Sequence, residues 1–243
     1  NCVEARHANL PPRAARPRRG ALCGQGTNIS RQINYIQNNF THLNHLQFSM
    51  KKTKSSKAWM KDHVNDFYVR QAKKEGYRSR AAYKLIEISE RENLLKLGMT
   101  VVDLGATPGG WSQVAADKIG LSGRVFSLDV LEMRPLPRVT FIQGDFEEEA
   151  TLAKLRKNIR KKPVDLVISD MSPNITGIAI SDQARCMYLA ELALEFSMAQ
   201  LNSDGNFLVK VFQGSGFEQF IKGMRMSFKK VVTRKPKASR GRS

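Results

Sequence analysis

At 243 residues, 41% of them apolar, the chain has room for one α/β domain of about 150 to 200 residues with a sizeable core, plus tails, and no apolar run approaches the length of a membrane span. The three cysteines, Cys2, Cys23 and Cys186, are odd in number and lack metal-ligand spacing, which excludes a disulfide framework and points to a reducing, cytoplasmic setting. The net charge of +18 divides as +5 over residues 1–49, +8 over 50–84, −4 over 85–221 and +9 over 222–243. Basic ends thus flank a slightly acidic centre, and nucleic acid is the expected partner, against the competing reading of a solvated basic tail.

Residues 1–49 lack periodicity and mix a Pro-Arg cluster (Pro11, Pro12, Arg16, Pro17, Arg18, Arg19) with an asparagine-rich stretch, so no packed structure is expected there. Met50, followed by KKTKSSK, reads as a natural start; the segment before it is then an upstream translation or a fused remnant, with an Arg-rich transit peptide as the alternative. His42 and His45 could share a helix face but have no third ligand, and no metal is expected.

From Lys57 the pattern turns helical. Met60, Val64, Phe67 and Gln71 fall on one stripe, and Ser79 is placed to cap a second helix containing Ala82, Leu85 and Ile86. Strands are expected at Val101–Leu104, Val125–Leu128, Thr140–Gln143, Val164–Ser169, Phe207–Phe212 and Lys230–Thr233. Helices are expected over Ser112–Ile119, Glu147–Asn158, Asp182–Leu201 and Phe217–Met226. Six strands alternating with helices specify a doubly wound, Rossmann-like parallel sheet. Three regions follow: an unstructured or non-native extension (1–49), a basic helical RNA-binding part (50–95) and the α/β domain (96–243).

The candidate site begins at VVDLGATPGGW (Val101–Trp111), a buried strand running into a turn where Gly105, Gly109 and Gly110 let backbone approach a ligand. The spacing G-x-x-x-G-G is not that of a dinucleotide site, and no Lys-Ser/Thr pair follows as a phosphate loop requires, so a nucleoside without pyrophosphate such as S-adenosylmethionine fits better. In this architecture ligands lie beyond the carboxyl ends of the strands, where Asp129, Asp145 and Asp170 put three carboxylates along one rim. Asp129 is placed to accept hydrogen bonds from ribose hydroxyls. Lys210, inside the apolar run FLVKVF, is an ammonium on a strand covered on both faces, which calls for a partner, a shifted pKa or a head that snorkels past the strand end.

RSRAAYKL, DLGATPGGWSQ, SDMSPN and LVKVFQG occur in this order, and with them the chain resembles the FtsJ/RrmJ family of ribose 2′-O-methyltransferases from about Lys57 to Ser243. The resemblance implies S-adenosylmethionine as cofactor, with Gly105, Gly109 and Trp111 at its turn, Asp129 on the ribose, Asp145 near the adenine and Asp170 close to the methyl donor. It implies as substrate a uridine ribose of 23S rRNA in the 50S subunit (the A-loop), with a role in late subunit assembly. A monomer is expected. Of the family's catalytic Lys-Asp-Lys-Glu set, Lys84, Asp170 and Lys210 match. The glutamate, which in the family opens a last antiparallel strand after an S-R-x-R-S-R segment, has no match, because the chain stops at Ser243 within SRGRS. A truncated chain is therefore expected, with a gap between the fifth and sixth strands and two unpaired edges. Lys51, Lys52, Lys54, Lys57, Arg78, Arg80, Lys235 and Lys237 are the candidates for RNA phosphates. Alternatives are a tRNA or mRNA-cap 2′-O-methyltransferase, a non-catalytic ribosome-assembly factor on a methyltransferase shell and, more distantly, an NAD dehydrogenase.

Overall fold

In the computed structural model, residues 1–9, 66–159 and 163–239 are described, and all of them belong to one compact unit. Its seven strands are β1 (Cys2–Ala8), β2 (Thr100–Leu104), β3 (Arg124–Asp129), β4 (Val139–Gln143), β5 (Val164–Ser169), β6 (Leu201–Lys210) and β7 (Phe228–Arg234). The helices are α1 (Phe67–Glu75), α2 (Ala82–Glu92), α3 (Gly110–Ile119), α4 (Glu149–Ile159), α5 (Ala179–Gln200) and α6 (Phe217–Ser227). The sheet order is β4-β3-β2-β5-β6-β1-β7. Strands β4, β3, β2, β5 and β6 are mutually parallel. The chain steps outward from β2 to β4 and then returns to lay β5 on the other side of β2, so a switch point opens at the carboxyl ends of β2 and β5. The six expected strands and the four helices among them all form, with most ends shifted by one to three residues and β6 beginning six residues before its expected start at Phe207.

The expected gap between the strands at 207–212 and 230–233 is not there. Strand β1 fills it, antiparallel to both neighbours: Cys2 pairs with Lys210 and Ala5 with Phe207 on one side, and Cys2 with Arg234 and Ala8 with Phe228 on the other. Residues 2–8 are therefore packed structure, contrary to the expectation for residues 1–49; residues 10–49 lie outside the described residues. The alternation of a strand places Val3 and Ala5 in the core on one face, and Cys2 with Glu4 on the other. Glu4 is almost wholly buried, and burial pushes its carboxyl above the usual range while Arg6 opposes that shift. Arg6 pairs with both Glu4 and Glu92, and Glu92 in turn takes Arg234 of β7 at 2.6 Å, so the charges on this strand are matched across the sheet edge.

The boundary expected at residue 95 is also absent among the described residues. Ala82, Leu85, Ile88, Leu94 and Leu95 share one apolar cluster with Val101, Trp111, Val114 and Ile119, so α2 is part of the α/β domain. Helix α1 buries Val69 and Ala72 and leaves Phe67 63% exposed, so the stripe proposed from Met60 to Gln71 is not its buried face; Met60 and Val64 lie outside the described residues. Ser79 does not cap α2 with its side chain. Ala81 stands at the N-cap with no side-chain hydrogen bond, and only the Ser79 carbonyl accepts from Ala82 N, at 3.2 Å.

Candidate functional site

The site is built where β2 ends. Gly105 (φ 74°) and Gly109 (φ 106°) both take left-handed conformations, and Gly105 N donates to the Leu128 carbonyl at 2.9 Å, which locks the turn against β3. A Cβ on Gly105 would lie 2.7 Å from Cα and Cγ of Met171, the residue after Asp170. That close approach brings the turn after β2 against the segment after β5. Gly105→Ala should therefore destabilise the fold by about 3 kcal/mol, combining the left-handed penalty with overpacking against backbone, and urea denaturation measures it. A variant as stable as the parent would mean the two loops are free to separate.

Asp129 closes β3. Its Oδ2 accepts from Thr107 N at 2.8 Å and its Oδ1 from Leu131 N at 2.9 Å, so the carboxylate bridges the glycine turn and the following loop. Each oxygen keeps a further lone pair for a ligand hydroxyl. Asp145 is exposed and its Oδ1 accepts from Glu147 N at 2.9 Å, a turn contact ahead of α4. Trp111 differs from its expected place. Its side chain is 2% exposed within the α2–α3 cluster, and its indole N–H donates to the Ala81 carbonyl at 2.8 Å. The ring therefore fixes α2 to the start of α3 instead of lining the turn.

Lys210, at the end of β6, reaches across to the end of β5. Its Nζ lies 2.9 Å from the carbonyl oxygen of Asp170 and 2.9 Å from Oδ1 of the same residue. The two side chains are 14% and 21% exposed, and the Phe212 ring lies 5.8 Å from the ammonium. The burial problem posed by an ammonium in an apolar strand is solved by this pair. Lys84 is half-buried on α2, and the charges of Asp170, Lys84 and Lys210 all act on the titration of the Cys2 thiol. Burial first and Asp170 second push that thiol up to about 11, against both lysines, so it remains protonated at neutral pH. The strand in the slot thus opens with a neutral thiol, and the acid on this strand, Glu4, is engaged by Arg6.

The basic residues divide. Lys235 and Lys237 are exposed. Arg78 and Arg80 are partly exposed and also hydrogen-bonded within the fold: Arg78 donates to the carbonyls of Arg134, Pro135 and Pro108, and Arg80 engages Asp66 and the Ala238 carbonyl. Lys51, Lys52, Lys54 and Lys57 lie outside the described residues. No group of His, Cys, Asp and Glu that could hold a metal occurs among the described residues. No helix among them is long and apolar enough to cross a membrane.

One residue of the site was not anticipated. Asp103 is fully buried under the turn, accepting from Ser112 Oγ at 2.6 Å, with Ser112 Oγ also 2.7 Å from Ser127 Oγ. Burial pushes its carboxyl up to about 7; Ser112 opposes the shift, and Asp170 and Asp129 add to it. In sequence it looks like any acid ending a strand.

Comparison with known proteins agrees with this geometry. The family described as FtsJ-like methyltransferase matches residues 77–243. A ribosomal RNA large subunit methyltransferase E from Nitrosospira multiformis is 71% identical over 194 residues, covering 80% of this chain and 94% of the relative. Another of that name from Nitrosomonas europaea is 62% identical over the same length, with the same coverage. Among solved structures, a ribosomal RNA methyltransferase from Plasmodium falciparum aligns with a TM-score of 0.62 at 31% identity, covering 67% of this chain and 93% of that one.

Proposed function

The chain belongs to the FtsJ-like methyltransferase family, and from that premise we propose that it methylates a ribose 2′-hydroxyl of a 23S rRNA uridine in the 50S subunit, in the A-loop, from S-adenosylmethionine. The observation that carries this reading is the Lys210–Asp170 pair, held at 2.9 Å next to Met171, which packs against the glycine turn. The residues present suit the cofactor. Two left-handed glycines form a cradle in which a Cβ at Gly109 would meet Met133 and Leu136 at 3.0 Å, and Asp129 offers acceptors for a ribose. Gly105 and Gly109 with the first N–H groups of α3 would hold the polar end, and Asp170 would stand near the methyl group. When bound, the cofactor supplies a methyl group on a sulfonium that leaves as a neutral thioether.

The protein's share of the reaction is positioning and proton transfer. Nζ of Lys210 donates to the Asp170 carbonyl and lies 2.9 Å from Asp170 Oδ1, so Asp170 holds the lysine head in place. Acting as the base requires Nζ to release a proton first, since only a deprotonated amine has a lone pair to accept one from the attacking hydroxyl. The hydroxyl proton would pass to Nζ of Lys210, where Asp170 would balance the resulting ammonium while the bound cofactor supplied its methyl group to the 2′-oxygen. Lys84 adds a second cation that favours charge developing on the oxygen.

The test is transfer of labelled methyl from S-adenosylmethionine to 50S subunits lacking the modification, with free 23S rRNA, tRNA and capped mRNA in parallel. Labelling of the 50S subunits supports the reading; preference for tRNA or cap would replace the substrate. A second reading, a non-catalytic assembly factor, gains if 50S subunits bind but take up no label. RNA phosphates would be met by the exposed Lys235 and Lys237 and by the basic segment from Lys51 to Lys57. The double variant Lys235→Ala/Lys237→Ala should reduce the slope of log affinity against log salt by about 2, as measured on 50S subunits across a salt series. An unchanged slope would remove both lysines from the interface.

A further inference from the structure

Among the basic residues expected to meet RNA, Arg78 directs its guanidinium at three backbone carbonyls. Its guanidinium donates to the carbonyls of Arg134 at 2.6 Å, Pro135 at 2.7 Å and Pro108 at 3.3 Å. Pro108 belongs to the glycine turn between β2 and α3, whereas Arg134 and Pro135 belong to the loop between β3 and β4. These two loops are the walls on either side of Asp129, which itself accepts from Thr107 N at 2.8 Å. The aliphatic stem of Arg78 covers the turn directly: a Cβ on Gly109 would meet Arg78 Cδ at 3.1 Å, alongside Met133 and Leu136. The base of the residue is fixed as well. Arg78 N donates to Gln113 Oε1 at 3.1 Å, and Gln113 Nε2 donates to the Gly76 carbonyl at 3.0 Å.

We infer that Arg78 is a positioning residue that clamps the two loops of the cofactor cleft together, so that it governs cofactor affinity and not RNA binding. The inference rests on the cofactor assignment made above. A planar guanidinium with five donors can serve three carbonyls from two segments at once, which the compact ammonium of a lysine cannot do. The same stretch is stitched to the turn at two further points, Ser79 against Gly110 and the Ala81 carbonyl to the Trp111 indole, and it leads within one helical turn to Lys84. Arg78 therefore joins the helix that carries a catalytic lysine to the loops that hold the methyl donor.

The experiment measures S-adenosylmethionine affinity by calorimetry, and KM for 50S subunits with kcat at saturating cofactor, for the unaltered chain, Arg78→Ala, Arg78→Lys and the control Lys237→Ala. The expected result is a cofactor Kd raised about tenfold in Arg78→Ala, only partly recovered in Arg78→Lys, with kcat and the KM for 50S changed by less than about threefold. Lys237→Ala should leave the cofactor Kd unchanged. An unchanged cofactor Kd with a raised KM for 50S overturns the inference in favour of a phosphate contact. If circular dichroism shows Arg78→Ala unfolded, Arg78→Lys decides, because a cofactor Kd equal to that of the unaltered chain overturns the clamp. Failure of the unaltered chain to bind S-adenosylmethionine is a separate result: it removes the cofactor assignment, and the clamp with it.

Discussion

Lys210→Ala is expected to lower the rate of methyl transfer by about a thousandfold, within the range that a positioned general base supplies, while the S-adenosylmethionine Kd changes less than about threefold. The separation follows from the geometry. Lys210 meets Asp170 at 2.9 Å beyond the ends of β6 and β5, whereas the glycine turn is held by contacts in which Lys210 takes no part, among them Gly105 to Leu128 and Thr107 to Asp129. Lys210→Arg sharpens the test. A guanidinium keeps the charge and can still pair with Asp170, but it does not release its proton in proteins and so cannot accept one from the ribose. Single-turnover rates for both variants on undermethylated 50S subunits read the effect. Arginine at near-parental rate would show that the residue acts as a fixed cation, and alanine at near-parental rate would remove it from the mechanism.

The features legible in the sequence are those in which local pattern and tertiary role coincide. The runs TVVDL, RVFSLD and VDLVIS are strands on both faces of which helices pack, and such runs need no distant partner to be recognised. The glycine turn is equally local, and Lys210 stands out because an apolar strand has no reason of its own to carry an ammonium. Strand β1 is the opposite case. Its seven residues include Glu4, Arg6 and His7, and it pairs with β6 some two hundred residues away, so neither alternation nor proximity marks it. The surroundings of Arg78 and Trp111 are illegible in the sequence for a different reason. An arginine in a basic segment reads the same whether it faces phosphate or carbonyls, and a tryptophan after a glycine turn reads the same whether it lines the turn or packs beneath it. Only the positions of Pro108, Arg134, Pro135 and Ala81 separate these alternatives. Asp103 escaped notice because its burial comes from α3 folding back over β2, which brings Ser112 to within 2.6 Å.

That buried acid carries the second large effect. Asp103 is pushed up to about 7 in the folded protein by burial, with Asp170 and Asp129 adding to the effect and Ser112 opposing it. An unfolded aspartate titrates near its ordinary value of about 3.9. Between those values the folded state holds a proton that the unfolded chain lacks, so stability from this group is fully present below about pH 4 and is lost as pH rises through about 7. At roughly 1.4 kcal/mol for each tenfold difference in proton affinity between the folded and unfolded chain, the loss is on the order of 4 kcal/mol once the folded carboxyl is ionised. Asp103→Asn removes the titration while keeping an oxygen to accept from Ser112. Its denaturation midpoint in urea should change little between pH 5 and pH 8, whereas that of the parent should fall. At pH 8 the variant should therefore be the more stable of the two, an unusual direction for a change at a fully buried polar position. Parallel pH profiles for the two proteins would show that Asp103 remains ionised in the fold, and that the Ser112–Ser127 pair, with Ser112 N–H, compensates its burial more completely than the cost assigned to it.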